Sequence, residues 1–502
     1  MRKLLRSLAA ISLLTFAFSW QARGQMGSAQ EAGQRGGQQG SAQQAQGAGG
    51  RGAALRQYIK TDAPLIALTH VKVIDGTGAA ARDDQTIVLS GGKISWMGSA
   101  SKANIPSGAQ VMDLTGYSVM PGMVGMHEHM FYPAGGQYNE LTVTAPRLYL
   151  ACGVTTARTT GSLDTYTDLN LKTMIDDGRM IGPKLNVTGP YLEGPPGTGV
   201  QMHILSNADE ARQLVDYWAG LGAGSFKAYM HITRAELSAA VTAAHAHGVK
   251  LTGHLCSIGF REAAALGIDN LEHGLVVDTE FVPGKQPDVC TPQATTFATI
   301  AKMDVEGPEI QQTIRDLVAH HVAVTSTLPV FETFVPNRPP MAWMRRPLDA
   351  LLPQESVSYL EGRARNAAQA DTPWNTLLKM EMQFEHDFVK AGGVLLAGVD
   401  PTGGGGDLPG FGDQREVELL VEAGFAPLEA IHIATANGAE FLGLSGQTGT
   451  IGEGKAADLL VIHGDPSAQI ADIEKVEIVF KDGVGYDSVK LIDSVRGTVG
   501  LH

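Results

Sequence analysis

Ser225-Phe226-Lys227-Ala228-Tyr229-Met230, then a helical pattern over 233–248, then Lys250-Leu251-Thr252-Gly253-His254: this stretch decides the fold. The outer runs are short and strand-like. Between them lie the start and stop signals of a helix, with Thr233 as cap, Glu236 three residues on as its capping-box partner, and Gly248 at the end. Strand, helix and strand in succession form the unit of a parallel sheet. The rhythm continues downstream: a helical pattern over 260–266 stops at Gly267 and leads into Asn270-Leu271-Glu272-His273, and apolar runs recur at 322–327 and 394–399. Residues 121–443 therefore predict an α/β fold, a (β/α)8 TIM barrel with insertions. On either side the period changes. Residues 57–120 read as a small antiparallel β unit, with strands at 66–74, 86–89, 93–96, 111–114 and 117–120 and a hairpin signal at Gly91-Gly92. Strand-like runs return at 457–462 and 476–480, within 444–502. The two ends are expected to complete one small β-sandwich beside the barrel.

Residues 1–24 read as a signal peptide. Arg2, Lys3 and Arg6 precede an uncharged apolar run over 8–20, and Ala22-Arg23-Gly24 places small residues around a cleavage site. That run is shorter than the ~20 residues a membrane span needs. The mature chain is thus expected in the periplasm or secreted, with no membrane span. Residues 25–56 are rich in Gly, Gln and Ala and read as a disordered tether. The 502 residues carry 38 Lys and Arg against 52 Asp and Glu, a formal net charge of −14. That balance speaks against a nucleic-acid partner, because phosphate contacts need clustered cations. The three cysteines, Cys152, Cys256 and Cys290, are an odd number, so at least one is free or pairs between chains. They are expected as buried free thiols.

In a strand, residues two apart share a face. His127-Glu128-His129, at the end of the first barrel strand, therefore presents His127 and His129 together as a metal-ligand pair. His245-Ala246-His247 has the same spacing but lies in a helix, where such residues are about 200° apart; these two are expected at the surface or in packing. His254, His273 and Asp400 each end a predicted strand, on the face where such barrels collect catalytic groups. Lys227 lies inside an apolar strand, where a lone ammonium is costly to bury. Either it is salt-bridged or snorkelling, or burial lowers its pKa until the amine captures CO2 as a carbamate able to bridge two metal ions. Tyr229 shares the face of Lys227 nearer the mouth and is a candidate substrate contact. Arg158, after the second strand, is a candidate for a substrate carboxylate, with an inter-strand ion pair as the alternative. His203 and His231 are candidates for the mouth. There is no GxSxG elbow, and Cys256 has no separate base, which weighs against a serine or thiol nucleophile.

His127-Glu128-His129, Lys227, His254, His273 and Asp400, in this order and at these strand ends, resemble the amidohydrolase superfamily. Met120-Pro121-Gly122 resembles its usual entry to the first motif, and residues 449–459 resemble its return to the β unit. Lys227-Ala228-Tyr229 and Thr252-Gly253-His254 are similar to the imidazolonepropionase-like and Xaa-Pro dipeptidase-like (prolidase-type) subgroup. The resemblance implies two divalent metal ions, zinc by preference. His127, His129 and Asp400 would hold the more buried ion, and His254 and His273 the more exposed one. Carboxylated Lys227 and a hydroxide would bridge them. Asp400 would be the catalytic residue, taking the proton of the attacking hydroxide and passing it to the leaving amine. The expected function is an exported binuclear hydrolase acting on an amide bond of a small-molecule dipeptide or N-acyl amino acid, with a homo-oligomer left open. Two alternatives stand beside it: a single-metal cyclic amide hydrolase or deaminase of the same superfamily, and a non-catalytic secreted binding protein.

Overall fold

The computed structural model describes residues 52, 54–134, 136–199, 201–369, 372–402 and 406–501. The signal segment and most of the tether lie outside the described residues.

Eight strands run parallel in chain order: Met123–Gly125, Val154–Arg158, Lys184–Asn186, Ser225–Ala228, Lys250–Gly253, Asn270–Glu272, Ala323–Ser326 and Leu395–Ala397. The first three form one sheet and the last five another. Between the two sheets, Gly224 N–H donates to Val187 O at 2.7 Å. From the last strand back to the first, Met126 N–H donates to Ala397 O at 2.8 Å, and Asp400 N–H donates to His127 O at 2.9 Å. This last junction is tight. A Cβ on Gly398 would lie 2.5 Å from the His127 backbone nitrogen, so only glycine lets the two strands close on each other there. The helix after the fourth strand, Arg234–Ala246, opens with the expected Thr233–Glu236 capping box. Gly248 follows it in the left-handed region at φ 70°.

A second sheet is built from both ends of the chain. Leu459–His463 lies antiparallel between Tyr117–Pro121 and Val476–Lys481, which joins the N-terminal strands to the C-terminal ones. Ile66, Leu68, Ile87, Val119, Leu459, Val461 and Phe480 fill a core separate from that of the parallel strands. The N-terminal part is not purely antiparallel, as its sequence led us to expect. Leu65–Val73 pairs in parallel with both Gln110–Asp113 and Tyr117–Pro121. The chain returns to it through longer connections, which a hairpin pattern does not reveal. The expected hairpin is present, with Gly91 and Gly92 both at positive φ.

The cysteine expectation is corrected. Cys256 and Cys290 are joined in a disulfide, and only Cys152 is a buried free thiol. Linear spacing carries no information on which distant thiols the fold brings together. Among the described residues, no helix is long and apolar enough to cross a membrane.

Behind the strand ends lies a layer of buried acids. Glu128, the residue between the two histidines, points away from them towards Asp413 and the Tyr149 hydroxyl, and burial pushes its carboxyl well above the usual range. Asp407 is likewise buried and unpartnered. Burial pushes Asp413 up to about 7, and Glu416 and Glu381 up to about 8. These groups hold protons in the folded state that the unfolded chain has released above its ordinary carboxyl pKa of about 4. The stability they contribute is complete below that value and is lost as pH rises through 7 to 8. The melting temperature should therefore fall as pH rises from about 5 to 8. Asp413→Asn, which keeps an acceptor for Gly410 N–H, should flatten that fall; an unchanged slope in scanning calorimetry would remove Asp413 from the account.

Candidate active site

The expected ligands converge on the C-terminal ends of the parallel strands. His127, His273 and Asp400 each offer a ligand atom, and all three atoms lie within 4.8 Å of one another. His129 Nε2 is 3.2 Å from Asp400 Oδ1, and Lys227 Nζ is 3.0 Å from His127 Nε2. The His254 ring lies 4.3 Å from that of His273, centroid to centroid. His273 and Asp400 are both held in the left-handed region, at φ 71° and 52°. Non-glycine residues adopt such backbone only where the surroundings impose it, and active sites are the usual place.

Burial sets the protonation states. It pushes His127 down to about 4 and His254 down to about 3, and it lowers His129 and His273 as well. All four imidazoles are therefore neutral at pH 7, the form that binds metal. Burial also lowers Lys227 to about 8. Burial alone would raise Asp400, but His127, His129 and His273 outweigh it and hold the carboxyl well below its usual range.

The network behind these ligands was not foreseen. Glu272 is fully buried between His127 and Arg158. Its Oε2 is 2.8 Å from His127 Nδ1, its Oε1 accepts from Arg158 Nη2 at 2.8 Å, and the Thr252 hydroxyl also donates to it. Burial would raise this carboxyl, but Arg158 and His127 outweigh it and keep it ionised. An ionised carboxylate only accepts, so His127 carries its proton on Nδ1 and turns the bare Nε2 towards Lys227 and Asp400. One signal for Glu272 was available. Asn270 and Glu272 are two polar residues flanking Leu271 in an otherwise buried strand, and hence share the inner face.

Two substrate candidates move elsewhere. Arg158 does not reach the cavity. It is buried among the strands, where its guanidinium also donates to Asn270 Oδ1 at 2.8 Å and to Met126 O at 2.8 Å, so the inter-strand ion pair is its place. His203 is half-exposed and pairs with Glu210 at 2.7 Å, outside the cavity lining. His231 faces Glu193. Tyr229 does line the cavity, with its ring 5.1 Å from His254. His245 and His247 are exposed and pair with Asp269 and Asp216, as their helical spacing implied.

These residues fit a divalent metal. His273 Nε2 is buried beside Asp400 with no hydrogen-bond partner, four neutral imidazoles and a carboxylate face one another, and Nδ1 of His127 and of His273 are already engaged, by Glu272 and by Thr327 Oγ1 at 2.8 Å. Such engagement of the outer nitrogen is the usual support of a metal-binding histidine.

Residues 390–484 match the amidohydrolase family. The matching stretch carries Asp400 and the strands that return to the two-ended sheet. No curated protein matches the chain. Among solved structures, a protein of Bifidobacterium longum assigned as a prolidase is 25% identical, with a TM-score of 0.60 over 86% of this chain and 98% of that one. An Xaa-Pro dipeptidase is 20% identical, with a TM-score of 0.63 over 84% and 100%. A molinate hydrolase is 16% identical, with a TM-score of 0.63 over 88% and 100%. The last two share the fold. The family segment agrees with the amidohydrolase resemblance drawn from the motifs, and the Bifidobacterium longum structure is similar to this chain over nearly its own whole length.

Arg158→Met should leave the Glu272 charge buried and uncompensated, at a cost of about 3–5 kcal/mol in a denaturant melt. Adding Glu272→Gln should recover part of that loss. A double variant as unstable as the single one would show that Arg158 acts through packing instead.

Proposed function

We propose that the protein is a metal-dependent hydrolase that cleaves an amide C–N bond of a small molecule, working outside the cytoplasm. The observation that carries this reading is the convergence of His127, His273 and Asp400 within 4.8 Å, with Lys227 3.0 Å from His127, in a cavity of about 780 Å³. We read the eight parallel strands as a (β/α)8 barrel over 121–443, and the two-ended sheet of 57–120 and 444–502 as its β-sandwich. The signal pattern of 1–24 supports export, and so does the Cys256–Cys290 disulfide, since such bonds persist in oxidising compartments.

His127, His129 and Asp400 would hold one divalent ion, and His254 and His273 a second, with zinc suited to this nitrogen and oxygen donor set. Bound there, the ions supply an acidified water at neutral pH and polarise the scissile carbonyl. Lys227 is poised for carboxylation: part of its amine is neutral near pH 8, so Nζ can form a bond to the carbon of CO2, lose a proton and become a bidentate anion. Asp400 is ionised and takes the proton of the attacking water on a carboxylate oxygen, then hands it to the nitrogen of the leaving amine. Tyr229 keeps its hydroxyl proton, because burial raises its pKa, and can donate a hydrogen bond to substrate. A dipeptide or an N-acyl amino acid supplies the required bond.

Chelation should abolish turnover of such amides, and zinc should restore it. Lys227→Ala should lower kcat/KM by at least about 100-fold and reduce the metal content below two ions per chain. Full activity in that variant would overturn the carbamate. One tightly bound ion per fully active chain would favour the mononuclear reading, and no turnover with saturating zinc would favour a binding protein.

A further inference from the structure

We infer that the protein has a second binding site, for a small carboxylate, between the parallel strands and the two-ended sheet. The inference goes beyond the hydrolase reading and does not depend on it. A cavity of about 390 Å³ lies there, and it shares no lining residue with the cavity of the histidines and Asp400. Its walls come from distant parts of the chain. Thr156 and Lys184 belong to the second and third parallel strands, Lys172 to the helix Thr165–Asp176, Thr448 to the connection that returns to the two-ended sheet, and Lys481 to the end of the strand Val476–Lys481. Thr156 pairs in register with Lys184, the first residue of its strand. The cavity thus lies nearer the N-terminal ends of the parallel strands, away from the ends that carry His254, His273 and Asp400.

Lys481 carries the argument. Along its strand, Ile478 and Phe480 pack into the core of the two-ended sheet, whereas Val479 packs into that of the parallel strands. Lys481 shares the face of Val479 and is turned the same way. It is only 9% exposed, yet among the described residues its ammonium has no ion-pair or hydrogen-bond partner. The aspartates near enough to act on it are Asp482, Asp458 and Asp176. Each is taken by another lysine: Asp458 and Asp482 hold Lys184 Nζ at 2.9 and 2.6 Å, and Asp176 holds Lys172 Nζ at 2.6 Å. A cation so deeply placed is costly unless it meets an acceptor. Thr156 Oγ1 and Thr448 Oγ1, of the same lining, are also buried without a hydrogen-bond partner. Orphaned polar groups of this kind call for a molecule that serves them. One ammonium and two hydroxyl donors suit the two oxygens of a carboxylate. Asp176 and Asp482 in the lining favour a single negative charge over the double charge of a phosphate. Ile175 and Leu444 add apolar surface for a short carbon chain.

The test titrates the full mature chain, loaded with zinc, with butyrate, butyramide and inorganic phosphate in a calorimeter, against sodium chloride of equal ionic strength. Butyrate is expected to bind at least about tenfold more tightly than its neutral amide, and more tightly than phosphate. Carboxylates also meet zinc, so the site is assigned by difference. Lys481→Met, which keeps the length of the side chain and removes its charge, should weaken butyrate at least about tenfold. Thr448→Val should weaken it about threefold, and it decides the matter should the first variant fold poorly. Butyrate binding that is unchanged in both variants places the anion elsewhere, the metal centre included, and overturns the site. No heat from butyrate beyond that of chloride overturns it as well, and a Lys481-dependent preference for phosphate overturns the carboxylate class. None of these outcomes bears on amide turnover, and failure of turnover leaves the Lys481-dependent binding to be read as before.

Discussion

A buried, ionised carboxylate at the centre of the parallel strands organises this molecule. Glu272 is fully buried, and it stays charged because Arg158 and His127 face its two oxygens at 2.8 Å. The consequences run outward from that pairing. The charge fixes the His127 proton on Nδ1, which turns Nε2 to Lys227 and Asp400. Arg158 is consumed by the same carboxylate and is lost to substrate recognition. One ion pair thus orients His127 at the base of the cavity and keeps Arg158 out of its lining.

A second set of acids holds the turns that carry the ligands. Glu381 accepts from Leu275 and Val276 N–H at 3.1 and 2.8 Å, which pins the turn immediately after His273. Glu416 accepts from Leu328 N–H at 3.1 Å, next to Thr327, whose hydroxyl engages His273 Nδ1. Gly274 permits this closeness, since a Cβ there would collide with Glu381. The left-handed backbone of His273 is therefore held from both sides by buried carboxyl groups, and it is maintained by groups that never touch substrate.

The parts legible in the sequence are those that obey a period. Alternation along strands brought His127 and His129 to one face and separated them from the helical His245 and His247. Strand ends placed His254, His273 and Asp400 on one face of the sheet. Glu272 escaped because residues one apart in a strand oppose each other, which would send it away from His273; the positive φ of His273 breaks that alternation and lets both face inward. Arg158 stayed open between an inter-strand ion pair and a substrate contact, because a residue at a strand's end reads alike whether it faces the core or the mouth; the structure gives the ion pair. The aromatic wall of the cavity beside His273, built from Phe297, Phe331, Phe334 and Trp374, and the Cys256–Cys290 bond have no local signature at all, since both depend on segments that only the tertiary fold brings together.

That disulfide has a consequence for where the protein can be made. Cys256 follows His254 by two residues, and Cys290 precedes the helix Gln293–Ile300 that carries Phe297. The bond therefore staples a ligand-bearing strand end to one side of the aromatic wall. Synthesis in a reducing compartment would leave the histidines and Asp400 on their own strands while loosening the segment that presents Phe297. The histidine and aspartate cluster is thus held by its own strands, while the aromatic wall beside it leans on a bond that must be oxidised to exist.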